Sequence, residues 1–272
     1  MTVTSSPSDP PGSPEDPSAV VGRLRAAGCV FAEDEARLLY GTARTPEELD
    51  AMVARRASGL PLEHVLGWAE FCGLRIAVDP GVFVPRRRTE FLVRRALELA
   101  PPVPPLAVVD LCCGTGAVGA ALAAALGPRA ELHAADVDPA AVRCARRNLA
   151  AAGGHVHEGD LFDPLPRALR GRVGVLAANV PYVPSGDVPL LPPEAREYEA
   201  LLALDGGTDG LDVLRRVAAR APEWLARGGC LLVETSGRQA DAASAVLASA
   251  GLTPRVATDD DWGATVLTGV RP

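Results

Sequence analysis

Lysine is absent from the 272 residues, and every one of the 27 basic side chains is arginine. That absence reads as a high-GC coding bias and excludes no function. Aromatic residues are scarce, at 4%, so a core has to be assembled from Ala, Val and Leu. Basic charge is in deficit. A net charge of -7 argues against a chain whose main affinity is for nucleic-acid backbone, because that affinity comes from neutralising phosphates. Long apolar runs are missing, so neither a signal peptide nor a membrane span is expected. Zinc-type spacing is missing as well: the six cysteines are scattered, Cys112 and Cys113 form the one close pair, and the four histidines complete no ligand set. No metal is expected, and His155 and His157 read as surface or core residues of a strand. The expected compartment is a reducing cytoplasm with free thiols, and a monomer is expected.

The length suits one large domain or a moderate domain with a small companion. Residues 1–17 are rich in Pro, Ser and Asp and lack periodicity, which predicts a disordered tail. From Ser18 to about Ser58 apolar residues recur at helical spacing, punctuated by Gly28 and Gly41. Phe71, Leu74, Ile76 and Val78, with Asp79-Pro80-Gly81 inside the stretch, suggest a short hairpin. Strands are then expected at Leu106–Leu111, Glu131–Val137, His155–Gly159, Val173–Asn179 and Cys230–Glu234. Alanine-rich helices are expected at Gly119–Ala125, Ala140–Ala151, Leu211–Ala221 and Ala240–Ala250. Such alternation predicts an α/β fold, a parallel sheet with helices on both faces, closed by Ala264–Val270.

Asparagine is nearly absent too, with Asn148 and Asn179 the only two. Asn179-Val180-Pro181-Tyr182 follows the apolar run Val173–Ala178, so it stands at the carboxyl edge of the sheet, where α/β proteins bind ligands. The Asn179 amide oxygen and the Val180 carbonyl, beside an aromatic ring, suit a planar NH2 group that donates two hydrogens and offers a face for stacking. Alone, the tetrapeptide is also compatible with an ordinary turn. Other strand ends add to it. Asp110-Leu111-Cys112-Cys113-Gly114-Thr115-Gly116 leads straight into a helix, a turn that lets backbone approach a ligand and favours negative charge. Asp136 ends the next strand, where an acid can accept from both ribose hydroxyls. Gly159-Asp160-Leu161-Phe162 ends the third, where a carboxylate could accept from an adenine amino group and Leu161 could pack on the ring. A nicotinamide enzyme shares the glycine loop but not the later turns.

On these motifs the chain resembles the class I S-adenosylmethionine-dependent methyltransferases that methylate the glutamine side-chain nitrogen of peptide-chain release factors. The resemblance spans about residues 20–270 and includes Leu60–Gly67, Phe71–Leu74, Phe83–Arg86 with Thr89-Glu90, and Ala203–Leu211. It implies a Rossmann-like, mostly parallel seven-stranded sheet at residues 86–272, a hairpin linker at 67–85 and a helical substrate-binding domain at 18–66. It further implies S-adenosyl-L-methionine as cofactor, held by Asp110, Gly114, Thr115, Gly116, Asp136, Asp160, Leu161 and Asn179. Asn179, Val180, Pro181 and Tyr182 would seat the substrate amide, and the implied partner is a release factor. Three positions depart from the family pattern, which usually has Pro at Val180, Gly at Cys112 and an acid at Arg88.

An adenine N6 methyltransferase would need the same planar-NH2 site, and the cluster Arg86, Arg87, Arg88, Arg94 and Arg95 favours it. That cluster also reads as a solvated helix start, and no stable nucleic-acid binding is expected. A relative that binds the cofactor without turnover is a further alternative, resting on Cys112 and Val180.

Overall fold

An acid followed by proline opens the first helix, α1 (Pro17–Ala26): the Asp16 carboxylate accepts from Ser18 N–H at 3.1 Å, and Pro17 enters with its φ already set. The computed structural model describes residues 16–102 and 104–272, so the expected disordered tail lies, as far as position 15, outside the described residues. Its expected end is corrected, because Pro17 is already helical.

The chain divides into two units, the first ending at Leu66 and the second running Gly67–Pro272. In the first unit α2 (Ala32–Thr42), α3 (Pro46–Ala57) and the short α4 (Leu62–Leu66) follow α1. Thr45 caps α3 by accepting from Glu48 N–H at 3.2 Å. Val20, Leu24, Leu39, Met52 and Val53 form the small core of this unit. Beside them Arg56 donates two hydrogen bonds to Glu35, at 2.6 and 3.1 Å, with both side chains about nine-tenths buried.

The second unit begins with a hairpin, β1 (Trp68–Phe71) and β2 (Leu74–Ala77). Its turn is Cys72-Gly73, with φ of 50° and 72°, the double left-handed geometry that matches strand twist. Asp79-Pro80-Gly81, expected inside the hairpin, lies beyond it. Phe71 and Ile76 join the core of this unit.

After α5 (Glu90–Leu99) come β3 (Leu106–Leu111), α6 (Ala117–Leu126), β4 (Ala130–Asp136), α7 (Pro139–Leu149), β5 (His155–Glu158) and β6 (Val173–Ala178). Then follow α8 (Pro193–Tyr198), α9 (Asp212–Trp224), β7 (Leu225–Thr235), α10 (Ala240–Ser249), β8 (Thr253–Asp259) and β9 (Ala264–Val270). They build a seven-stranded sheet in the order β5-β4-β3-β6-β7-β9-β8, parallel except for β9, which runs antiparallel to both neighbours. Every residue of β3 and β6 is buried, which is why both read as near-continuous apolar runs, broken in β3 by Asp110 alone. The chain moves outward from β3 to β5, then returns to place β6 on the other side of β3. That reversal opens a crevice at the carboxyl ends of β3 and β6.

Apolar periodicity misses β8 altogether. It is an edge strand, carries Pro254, Arg255 and Asp259, and is mostly exposed, so nothing in its pattern marks a buried face. Ala264–Val270 therefore does not close the sheet; it lies between β7 and β8. β7 also starts earlier than expected, with Leu225 paired to Val173 before a register shift.

Truncating Arg56 would leave Glu35 as a buried carboxylate without its main partner. Arg56→Ala should therefore cost about 3–5 kcal/mol in chemical denaturation of the helical unit. A change below about 1 kcal/mol, the range of exposed pairs, would show that the pair is solvated.

Candidate active site

The turns at the carboxyl ends of β3, β4, β5 and β6 converge on one cavity of about 540 Å³. The first wall is the loop after β3. Asp110 is 1% exposed, and its Oδ2 accepts from Gly119 N–H in the first turn of α6 at 2.8 Å. Burial pushes its carboxyl up to about 8, with the Gly119 N–H opposing the rise and the Asp136 charge adding to it. Cys112 adopts φ 53°, the left-handed region where an L side chain costs about 1–2 kcal/mol and glycine costs little. Gly114 lines the cavity at φ 54°, and a Cβ on it would meet no protein atom. Thr115 is buried, and its carbonyl accepts from Asn148 Nδ2 at 2.8 Å. The Asn148 side chain also pairs with both backbone groups of Ala77, at 2.9 Å each, tying the hairpin to the glycine loop.

Asp136 ends β4. Its two oxygens accept from Gly114 N–H at 2.8 Å and Asp138 N–H at 2.9 Å, and burial raises its carboxyl above the usual range. A carboxylate has about four acceptor positions, so about two are left for a ligand. After β5, Asp160 and Leu161 reach the cavity, Leu161 at φ 48°. One Asp160 oxygen is already paired with Arg216, another cavity residue.

The turn after β6 completes the site. Asn179 is half-buried, lines the cavity, and among the described residues no hydrogen bond engages its side-chain amide. Val180 is 3% exposed and belongs to the apolar cluster that includes Leu161, Leu211 and Leu214. The Tyr182 hydroxyl donates to Glu234 Oε1 at 3.0 Å and accepts from Arg88 Nη2 at 2.6 Å. Its carbonyl accepts from Gln239 Nε2 at 2.9 Å. Behind the turn, a Cβ on Gly206 would stand 2.7 Å from the Pro181 carbonyl oxygen, and one on Gly210 2.2 Å from that of Tyr182, so only glycine permits this approach.

Every residue expected at the site thus reaches the cavity wall, apart from Gly116, which is the amino-terminal cap of α6 at φ 77° and packs against α7. Sequence patterns did not single out Asn148, Glu234, Gln239 or Arg216. Rarity could have flagged Asn148, one of two asparagines, and Gln239, the single glutamine. No group of three or more His, Cys, Asp or Glu among the described residues could hold a metal ion. The arginine cluster is largely spent: Arg86 on Glu199, Arg88 on Glu234, Arg94 on Asp259 and Arg95 on Glu98.

Residues 73–182 match the family model of the methyltransferase small domain. A release factor glutamine methyltransferase of Geobacter sulfurreducens is 41% identical over 231 residues, 83% of this chain and 79% of the relative. Another, from Deinococcus radiodurans, is 38% identical over 87% of this chain and 90% of its own length. The chain belongs to the release factor glutamine methyltransferase family. Among solved structures, a ribosomal protein L11 methylase from Lactobacillus delbrueckii shares the fold, with a TM-score of 0.51 at 18% identity over 72% of this chain and 84% of the other.

The chain is therefore an S-adenosylmethionine-dependent methyltransferase, and its cavity fits that cofactor. Gly114 leaves room where a side chain would intrude, and Asp136 keeps acceptor capacity beside it. Asp136 and Asp138, which pair with no arginine among the described residues, suit a cationic ligand. The cysteine at position 112 of this methyltransferase stands in a left-handed conformation natural to glycine.

Asp110 holds its proton up to about pH 8 when folded, against 3.8 ordinarily. The stability it contributes is thus full below the ordinary value and lost as pH rises through about 8. Its share of the slope in unfolding free energy is up to about 1.4 kcal/mol per pH unit in that window. Asp110→Asn keeps an oxygen for Gly119 N–H and should flatten the fall in stability between about pH 4 and about pH 8 in denaturant titrations. An unchanged slope would mean that Asp110 ionises normally.

Proposed function

We propose that this methyltransferase transfers a methyl group to the side-chain amide nitrogen of a glutamine in a peptide-chain release factor. The observation that carries the reading is the Asn179 side-chain amide, which lines the cavity with no hydrogen bond among the described residues, in a turn whose Tyr182 hydroxyl and carbonyl are both committed. Asn179 Oδ1 and the Val180 carbonyl would accept the two hydrogens of the incoming amide, with the Tyr182 ring beside it and Pro181 holding Val180 extended. Asp110, Gly114, Thr115, Asp136, Asp160 and Leu161 would hold the cofactor, Asp136 at the ribose and Asp160 with Leu161 at the adenine, while Gly116 shapes the turn from behind.

An amide nitrogen is a poor nucleophile because its lone pair is delocalised into the carbonyl. Two acceptors on its hydrogens push density back onto nitrogen and aim it, so orientation and electrostatics are the main catalytic terms. S-adenosylmethionine, when bound, supplies an electrophilic methyl group on sulfonium. The nitrogen becomes acidic once methylated, and its surplus proton passes to water; none of the four histidines lines the cavity. The paired arginine cluster favours a protein acceptor over adenine in nucleic acid, since little unbalanced positive charge is left for phosphate. The helical unit is the proposed hold on the acceptor protein, and Val30 and Phe31 are its most exposed large apolar residues among those described, at 84% and 69%. The six free thiols fit a reducing cytoplasm, and no described helix is long and apolar enough to cross a membrane.

Asn179→Ala should lower kcat on a release factor by on the order of a hundredfold or more. Cofactor affinity, read by calorimetry, should barely change. Full activity in the variant would remove the amide clamp from the mechanism. Asp136→Ala tests the other half of the cavity. It should weaken S-adenosylmethionine binding by about 1.5–3 kcal/mol through loss of charged hydrogen bonds. Unchanged affinity would move the ribose elsewhere.

A further inference from the structure

The geometry points to Arg88 as a positioning residue for the acceptor amide, acting through the hydroxyl of Tyr182. Four side chains from three separate segments meet there. Arg88 and Thr89 come from the turn before α5, Tyr182 from the turn after β6, and Glu234 from β7. Glu234 is the hub, with a side chain 2% exposed. Its Oε1 accepts from Arg88 Nε at 2.8 Å and from the Tyr182 hydroxyl at 3.0 Å, and its Oε2 accepts from Thr89 Oγ1 at 2.6 Å. Arg88 Nη2 then donates to the Tyr182 oxygen at 2.6 Å, closing a ring of three groups.

Counting donors decides what Tyr182 can do. A phenol has one proton, and here it goes to Glu234, so none remains for a substrate. Burial, with the Glu234 charge adding, pushes the hydroxyl up to about 12, so it does not serve as a base near neutral pH. What Tyr182 offers the acceptor is the face and position of its ring. That position is set at one end by the Gln239 bond to its carbonyl and at the other by Arg88 and Glu234. The Arg88 fork reaches the carboxylate through Nε and the phenol through Nη2 along two fixed directions, which a lysine ammonium, a point charge on a flexible stem, does not reproduce. The charges of Arg88 and Glu234 cancel, so the clamp holds the ring without adding net charge to the cavity wall.

The inference rests on the glutamine reading, and the experiment separates the two. The full-length chain is compared with Arg88→Met, Arg88→Lys, Tyr182→Phe and the Arg88→Met/Tyr182→Phe double variant. A purified release factor is the acceptor, and ring motion of Tyr182 is followed by NMR with selectively labelled tyrosine. Arg88→Met and Tyr182→Phe should each lower kcat/KM for the acceptor by about tenfold, part of the roughly hundredfold cost of a 1 Å misplacement. S-adenosylmethionine affinity should stay unchanged. The double variant should be no worse than either single one, and Arg88→Lys should not rescue. The Tyr182 ring should flip faster in Arg88→Met and Arg88→Lys than in the wild type. Additive losses, or an unchanged kcat/KM with unchanged ring motion, would overturn the positioning role. Should the wild type methylate no release factor glutamine, that reading falls and the ring-flip comparison decides on Arg88. If Arg88→Met fails to fold, Arg88→Lys and Tyr182→Phe decide it in the same way.

Discussion

An amide nitrogen reacts only if it is held still, and the proposed hold is the turn after β6. That turn leaves a strand buried along its whole length. It is then stitched by Gln239 at the Tyr182 carbonyl and backed by Gly206 and Gly210, which come so close that a single Cβ would collide. Each of these contacts consumes a polar group or a space that could otherwise let the turn move. Asn179 is the exception, half-buried and with no side-chain hydrogen bond among the described residues, in a turn held by those contacts. Rigid support under a free acceptor is what catalysis by orientation requires.

Much of this was legible in the chain. Strand-ending acids and glycines marked the cavity because a buried apolar strand must stop at the sheet edge, and the polar residues just after it face the crevice. Val173–Ala178 and Leu106–Leu111 were visible for the same reason, being buried on both faces. β8 was invisible because an edge strand protects itself with proline and charge, which erases the alternation. The hairpin turn was misplaced because Asp79-Pro80-Gly81 is the louder turn signal. Cys72-Gly73, with both residues left-handed, matches the strand twist. Side-chain partnerships across the sheet were beyond reach. Asp160 looked like a free acceptor, and nothing local announces that Arg216, 56 positions later, takes one of its oxygens.

Charge in this protein is handled in pairs. Lacking lysine, it meets its acids with guanidinium groups, and the arginines that border the cavity, Arg86, Arg88 and Arg216, are each matched to a carboxylate. The remaining character of the cavity is acidic, from Asp110, Asp136 and Asp138. Burial tempers that acidity by holding Asp110 protonated near neutral pH and raising Asp136. A cationic ligand would reverse both shifts, because a nearby positive charge favours the carboxylate form. The same cavity gives phosphate little to hold.

Mapping the methyl group on the acceptor tests the central claim most directly. The purified protein would be incubated with methyl-labelled S-adenosylmethionine and host lysate, and the labelled species sequenced by tandem mass spectrometry. The expected result is one methyl group on the side-chain nitrogen of a glutamine in a peptide-chain release factor. Label on adenine of DNA or RNA, or none on any glutamine despite tight S-adenosylmethionine binding, would contradict it.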